Sequence, residues 1–259
     1  MLKMSIIIVS WNVKELLRQN LAQLLILRRE DFLFEVFVVD NGSKDGSVRM
    51  VRDEFSWVHL VQNDYNAGFA KACNQAIRMA KGEVILLLNP DNRVEAGTLE
   101  RTHQELIEHH DIGVLGVRLI DEKGDVVRSV RRDPRLRDQL VTLLKLPRFF
   151  PALNDRYLAK DFDYTISQDV EQIRGSYFAF RRELIQHVGM FDERYFIWFE
   201  EVDFCKRVRG FGFRIRYCAD VICTDFVGKS FAQVSVWKKQ RMFFTSAWKF
   251  FWKWGIRNC

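Results

Sequence analysis

Four short apolar runs constrain this 259-residue chain more than any other feature: SIIIVS at 5–10, FEVFVV at 34–39, WVHLV at 57–61 and EVILLL at 83–88. They are rich in β-branched residues and lack the strict polar alternation of a strand that faces water, so each reads as a strand covered on both faces. Between the first two, Leu16, Leu17, Leu21, Leu24 and Leu25 mark one stripe of an amphipathic helix. A second helix is expected over 67–81, carrying Phe69, Ala72, Cys73, Ala76, Ile77 and Ala80, with Gly82 as its stop. A helix over 95–110 and a strand at 113–118 continue the alternation. Repeated βα units of this kind predict an α/β fold with an open, mostly parallel sheet and right-handed crossovers. Beyond 120 the pattern loosens. A hairpin is expected around Glu122-Lys123-Gly124-Asp125, and residues 131–172, punctuated by Pro134, Pro147 and Pro151, read as a mobile excursion. Order returns with Gly175-Ser176-Tyr177-Phe178-Ala179-Phe180, and Phe199-Glu200-Glu201-Val202-Asp203 opens a further helix.

Composition removes several classes of function. A hydrophobic content of 48% argues for a packed core rather than a disordered chain. The N-terminus lacks the apolar stretch and cleavage site of a signal peptide, and no apolar run approaches the ~18 residues of a membrane span. Cysteines at 73, 205, 218, 223 and 259 form no C-x-x-C pair, which favours a reduced cytosolic chain over a disulfide scaffold or a zinc site. The five histidines show no metal-ligand spacing and read as structural or surface residues. The net charge of +6 is concentrated in 128–148 and beyond Asp225, which leaves the remaining body acidic. Two local basic patches predict anionic partners met at particular surfaces, not a protein coated with nucleic acid.

The chemistry-bearing residues fall where strands end. Val38-Val39-Asp40-Asn41-Gly42-Ser43 puts an acid and a glycine turn after the second strand. That suits a nucleotide's base or ribose, and equally a plain βα loop. The first βα turn reads Ser10-Trp11-Asn12 instead of G-x-G-x-x-G, which counts against a nicotinamide dehydrogenase. Asn66-Ala67-Gly68 reads mainly as a helix start, with Asn66 as cap and Gly68 allowing close approach of a phosphate as a secondary role. Leu88 runs directly into Asn89-Pro90-Asp91-Asn92. A lone carboxylate at the end of a central strand suits Mg²⁺ or Mn²⁺, although an Asx turn explains the same residues as well. Glu200, Glu201 and Asp203 follow Trp198-Phe199. Crowded carboxylates beside large aromatics raise one another's pKa and make a general base, whereas acids at a helix start merely complement its dipole; the crowding favours the base.

Taken in order, SIIIVSWN, VVDNGSKDGS, NAGFAKACNQA, LLLNPD and RGSYFAFRRELIQHVGMFDERYFIWFEEVDFCKRVRGFGF resemble a family 2 glycosyltransferase with the GT-A fold, in its bacterial rhamnosyltransferase-like branch. The resemblance covers nearly the whole chain. It implies a glycosyltransferase domain at 1–233, with a nucleotide-sugar-binding half (1–118) and an acceptor and catalytic half (119–233), then a basic aromatic helix at 234–259. Asn89-x-Asp91 stands where the family has its D-x-D signature, so Asp91 is implied as a ligand of Mg²⁺ or Mn²⁺. Ser10, Asn12, Asp40, Asn41, Asn66, Gly68 and Asn89 are implied contacts of a dTDP- or UDP-linked sugar, with Asp40 holding the base. The family's Glu-Asp pair falls on Glu200-Glu201, which makes Glu201 the implied base of an inverting displacement. Where the family often has a His before Gly-x-Ser, this chain has Asp225 before Gly228-Lys229-Ser230, and Asp225 is implied as a second metal or phosphate-shell residue.

The implied acceptor is a saccharide, often linked to a polyprenyl diphosphate, met at the inner face of the cell membrane. Trp237, Phe244, Trp248 and Phe251 fall near one face of the C-terminal helix among Lys238, Lys239, Arg241, Lys249 and Lys253, as expected of a helix on an anionic membrane surface. The alternative is a helix packed on the core with a solvated basic face. Two other functions remain open from sequence: a glycosyltransferase-like binding protein without turnover, and a nucleic-acid-binding domain using the tail, which would leave the sheet-edge acids unexplained.

Overall fold

The computed structural model describes residues 1–144, 150–226 and 235–255. The expected strands form: β1 (Met4–Ser10), β2 (Phe34–Asp40), β3 (His59–Gln62) and β4 (Val84–Leu88). Helices α1 (Lys14–Ile26), α2 (Ser47–Glu54) and α3 (Phe69–Ile77) connect them, and the strands pair in parallel in the order β3-β2-β1-β4. Successive residues of β1 feed opposite faces of the sheet, as the strand period requires. Ile6 and Ile8 pack with Leu17, Leu21 and Leu24 of α1, while Ile7 packs with Cys73 and Ala76 of α3. Covering both faces is why β1, β2 and β4 read as unbroken apolar runs; β3, at the sheet edge, is not covered as expected and keeps His59 and Gln62 exposed.

The second half is built differently. A three-residue strand, β5 (Asn92–Val94), lies inside what reads as a pure turn. It forms because a distant strand pairs with it, a signal that no local pattern carries. Next come α4 (Thr98–Glu108), β6 (Ile112–Ile120) and the short β7 (Val126–Val127), which pairs with β6 and closes the expected hairpin. The remaining sheet strands are β8 (Val130–Arg131), β9 (Gln168–Asp169), β10 (Gln172–Ile173), β11 (Tyr177–Arg181) and β12 (Arg214–Asp225). The main sheet order is β3-β2-β1-β4-β11-β6-β12-β5. β11 runs antiparallel between β4 and β6, and β12 runs parallel to β6 and antiparallel to β5. Thus β1 to β4, β6 and β12 all point one way. Their carboxyl ends share one edge, and the antiparallel β11 begins there.

Residues 131–172 are not the mobile excursion expected, over the part described. α5 (Leu136–Leu143) is followed by a 3₁₀ turn at Pro151–Asn154, and β8 pairs with β10 through Val130↔Ile173 and Arg131↔Gln172. Phe162, Tyr164 and Tyr217 pack edge to face, and Asp138 pairs with Arg156 at 2.7 Å. The basic, proline-marked sequence hides this order because its partners lie far along the chain. Pro147 is outside the described residues, as are Gly228-Lys229-Ser230 and the expected boundary at 233/234.

Two short helices, α6 (Leu184–Val188) and α7 (Glu200–Gly210), precede the last helix, α8 (Val236–Trp254). The stripe expected on α8 is divided. Phe251 turns inward with Phe250 and Ala247 against Tyr195, Phe199 and Val202. Trp237, Phe244, Trp248 and Trp252 face out, with Trp237 83% and Trp252 79% exposed. The helix is therefore both packed on the core and openly aromatic. Among the described residues no helix is long and apolar enough to cross a membrane.

Candidate active site

The carboxyl edge of the sheet gathers the residues singled out from sequence. A cavity of about 230 Å³ there is lined by Trp11, Asn41, Asn66, Gly68, Asn89, Asp91 and Asp225, with Arg174, Phe196 and Trp198. Open α/β sheets bind ligands at this edge because βα loops and strand ends converge there. Ser10 and Asp40 lie just behind the lining, in register on adjacent strands. Asp40 Oδ2 accepts the main-chain N–H groups of Gly42 (3.1 Å) and Ser43 (2.9 Å), which fixes the turn. Its Oδ1, like Ser10 Oγ, is buried without a hydrogen-bond partner. Such atoms are costly to bury unsatisfied and suit a ligand's donors.

Asn12 has a different position. With φ +52°, it accepts from Lys44 N at 2.7 Å and its own N–H donates to Ser43 Oγ at 2.8 Å. Its side chain clamps the first two βα loops together. Asn66 is not the cap of α3; that position is Gly68, whose N–H donates to Asn66 Oδ1 at 3.1 Å. The close approach that demands glycine at 68 is also protein, not phosphate. A Cβ there would sit 2.7 Å from the Phe196 carbonyl oxygen, at a φ of +89°.

Asp91 and Asp225 come together through β5. Asn92 is the partner of Asp225 in the β5–β12 ladder, and Phe226 N donates to Asp91 O at 3.0 Å. Both aspartates are nearly buried at the cavity wall, and Asp91 Oδ1 has no hydrogen-bond partner. Among the described residues no three His, Cys, Asp or Glu side chains converge, so the protein offers at most two carboxylates here. That donor set fits Mg²⁺ or Mn²⁺, which takes one or two carboxylates and fills its shell with phosphate oxygens and water.

Glu200 and Glu201 stand at the other end of the same cleft, in a cavity lined by Phe69, Asn89, Ser176, Arg174 and Trp198. They open α7 after a distorted backbone: Trp198 and Phe199 both have positive φ (59° and 68°). For bulky residues this costs about 1–3 kcal/mol each and persists only where the surroundings enforce it. α8 supplies the enforcement. Phe199 packs on Phe243 and Phe250, and Ser246 Oγ donates to Ile197 O at 3.0 Å.

The two carboxylates differ. Burial, followed by the charge of Glu201, pushes the Glu200 carboxyl well above its ordinary pKa. Burial also raises Glu201, but the nearby Arg174 cation acts against it. Glu201 additionally lines a second recess, with Arg131, Tyr157 and Phe243, that Glu200 does not reach. Asp203, the third acid of the cluster, is fully buried on another side of α7, held by Arg207 (2.8 Å), Lys253 (2.7 Å) and Trp254. Its work is structural. Sequence reading missed Arg174 and Trp198 as site residues. Arg174 opens the quoted motif RGSYFAF, yet only the antiparallel course of β11 brings it to this edge.

A GT-A sheet with paired acids at one end of its cleft and a strained, aromatic-flanked glutamate pair at the other defines a glycosyltransferase domain. The model of "Glycosyl transferase family 2" matches residues 5–189, and the chain belongs to that family. It is 27% identical over 187 residues to an N-acetylglucosaminyl-diphospho-decaprenol L-rhamnosyltransferase of Mycobacterium tuberculosis, a match covering 67% of this chain and 60% of that protein. It is 26% identical over 236 residues to a chondroitin synthase of Pasteurella multocida, covering 82% of this chain and 24% of that one. Among solved structures, a mannosyltransferase of Pyrobaculum calidifontis in complex with GDP-Man and Mn²⁺ superposes with a TM-score of 0.62 at 20% identity, covering 95% of this chain and 64% of that chain. Staphylococcus aureus TarS 1–349 with UDP-GlcNAc gives 0.60 at 20% identity, covering 91% and 62%.

Proposed function

We propose that this chain moves a sugar, with inversion, from a nucleoside-diphosphate donor to a saccharide acceptor, using Glu201 as general base. The observation that carries this reading is the continuity of the cleft. Asn89, Arg174, Ile197 and Trp198 line both the cavity holding Asp91 and Asp225 and the one holding Glu200 and Glu201. A donor anchored at the first therefore offers its anomeric carbon towards the second.

Asp40 and Ser10 receive the nucleoside through their unsatisfied oxygens, with Asn41, Asn66, Gly68 and Asn89 around the diphosphate. Asp91 and Asp225 would hold Mg²⁺ or Mn²⁺, which when bound neutralises charge on the diphosphate. Glu201 takes the proton of the acceptor hydroxyl as that oxygen bonds to the anomeric carbon. The bond from that carbon to the donor's diphosphate oxygen breaks, and the nucleoside diphosphate leaves with the electron pair. Glu200, whose pKa burial and the charge of Glu201 push upward, orients its neighbour. We assign the donor mainly to 1–118 and the acceptor mainly to 119–233, with Asp225 reaching back from the second half to the metal site.

Rhamnose from a thymidine diphosphate donor and a polyprenyl-diphosphate-linked acceptor are the substrates we favour. The similarity to a protein named for rhamnosyl transfer to a diphospho-decaprenol substrate supports both. The outward tryptophans of α8, amid lysines, support action at the inner face of the membrane. A thermal-shift panel of sugar nucleotides with and without Mn²⁺ tests the proposal. A true donor at 100 times its Kd adds about 2.7 kcal/mol to stability. No shift with any nucleoside-diphosphate sugar would remove the donor site.

A further inference from the structure

Beyond the glutamates the cleft continues. The recess past Glu201 contains Arg131 and Arg174, and Phe243 forms its far wall. Phe243 is also the inner end of a groove of about 430 Å³ between α5 and α8, with Leu136, Leu140, Phe244, Trp248 and Trp252 along its sides. Donor cavity, glutamate and arginine recess thus share lining residues, and the recess and the apolar groove meet at the Phe243 side chain.

The arginines are unusual. The Arg131 guanidinium donates to the main-chain oxygens of Val130 (2.7 Å) and Arg128 (3.2 Å). Among the described residues neither it nor Arg174 meets a carboxylate at ion-pair distance. Burial, with the like charge of Arg174, depresses the pKa of Arg131. Two cations held close in a partly buried recess are unfavourable alone and favourable around an anion with several oxygens. The groove is the converse, apolar apart from Gln139 and open to solvent. The exposed cations of α8, such as Lys238 and Arg241, suit a membrane surface, but a membrane surface does not account for two arginines in the inner recess.

We infer that Arg131 and Arg174 receive the diphosphate of an isoprenoid diphosphate, and that the groove between α5 and α8 receives the first units of its tail. This rests on the reading of Glu201 as the transfer site, because the same path delivers a diphosphate-linked sugar to that carboxylate. Anion inward and hydrocarbon outward is the one orientation that the charge pattern matches. α8 therefore has two faces with different tasks: its inner face shapes the base, and its groove face guides the acceptor.

Farnesyl diphosphate, titrated into the full chain below its micellar concentration, provides the probe. Trp198, Trp248 and Trp252 flank the path and report binding by fluorescence. Farnesyl diphosphate should bind ~10-fold or more tightly than farnesol or inorganic pyrophosphate. Arg131→Gln should remove the preference over farnesol. Leu140→Glu, at an exposed position that does not threaten the fold, should weaken farnesyl diphosphate and spare inorganic pyrophosphate. If Arg131→Gln does not fold, Leu140→Glu decides. Equal binding of farnesol and farnesyl diphosphate, or an unchanged affinity in Leu140→Glu, overturns the inference. So does retention on anionic vesicles with no affinity for farnesyl diphosphate, which would make this face a lipid contact only. UDP and dTDP binding with Mn²⁺ is read in parallel. Nucleotide binding without isoprenoid binding sinks the groove and spares the function, and the reverse result does the opposite.

Discussion

Trp254, in the last turn of α8, donates its indole N–H to Asp203 at 2.8 Å, one turn along α7 from the glutamate pair. Lys253 adds an ion pair to the same carboxylate at 2.7 Å and another to Asp192 at 2.9 Å. The C-terminal helix is thus fastened to the helix that carries Glu200 and Glu201. A carboxylate with no solvent exposure depends on such partners, because an unpaired buried charge is strongly unfavourable.

The first prediction follows from that fastening. Trp254→Phe should destabilise the fold by about 1–3 kcal/mol, the value of a hydrogen bond to a buried charged group. A chain ending at Val234 should lose turnover as well as stability, since Phe199 and Tyr195 lose their cover. Urea denaturation and transfer assays read the two effects. Full activity in the truncated chain would show that α8 does not shape the site.

A second prediction separates the glutamates. Glu201→Gln should lower turnover ~10²-fold or more while donor affinity stays near wild type, the signature of a group needed in the transition state. Glu200→Gln should be mild, because glutamine keeps the shape of a side chain whose charged form burial disfavours. Steady-state kinetics with calorimetric donor binding distinguishes them. A dead Glu200→Gln beside an active Glu201→Gln would reverse the assignment.

The pH dependence has a defined sign. Burial raises the Glu201 pKa above its ordinary 4.5, and a base must be ionised, so activity should fall on acidification at a higher pH than for an exposed glutamate. Arg174→Gln removes a cation that opposes this rise and should move the acid limb of kcat upward. Stability runs the other way for Glu200. Its folded pKa lies well above its unfolded one, so its contribution is complete below about pH 4.5 and is lost as pH rises through the folded value. Glu200→Gln should therefore flatten the loss of stability with rising pH, as measured by denaturation across the pH range.

Asp91→Asn should abolish Mn²⁺-dependent donor binding and leave the melting temperature of the free protein nearly unchanged. Its Oδ1 is buried at the cavity wall without a protein partner, so little internal bonding is lost. Isothermal calorimetry with UDP- and dTDP-sugars, with and without Mn²⁺, checks it. Unchanged affinity in Mn²⁺ would take Asp91 out of the metal site.

The outward face of α8 can be tested apart from its groove. Trp237 is 83% exposed and lies outside the groove lining. Trp237→Glu combined with Lys238→Glu should reduce co-sedimentation with anionic liposomes while donor binding persists. Undiminished sedimentation would show that this end of the helix does not meet the membrane.

The sequence by itself determined the first four strands and the helices between them. Strands such as Ile6-Ile7-Ile8 are covered on both faces by neighbours close in sequence, so their burial leaves a continuous apolar run that can be read locally. The positions of Asp40, Asn89 and Asp91 follow for the same reason, because a βα unit turns where its strand ends. Only the tertiary structure gave the three clustered acids different surroundings. Glu200, Glu201 and Asp203 share one helix turn in sequence, yet burial and the charge of Glu201 raise the pKa of the first, Arg174 acts against the rise at the second, and Lys253 and Trp254 pair with the third. β5, the antiparallel β11 and the division of α8 into inner and outer aromatics were equally out of reach. Each depends on a partner brought from far along the chain, and local periodicity carries no record of distant partners.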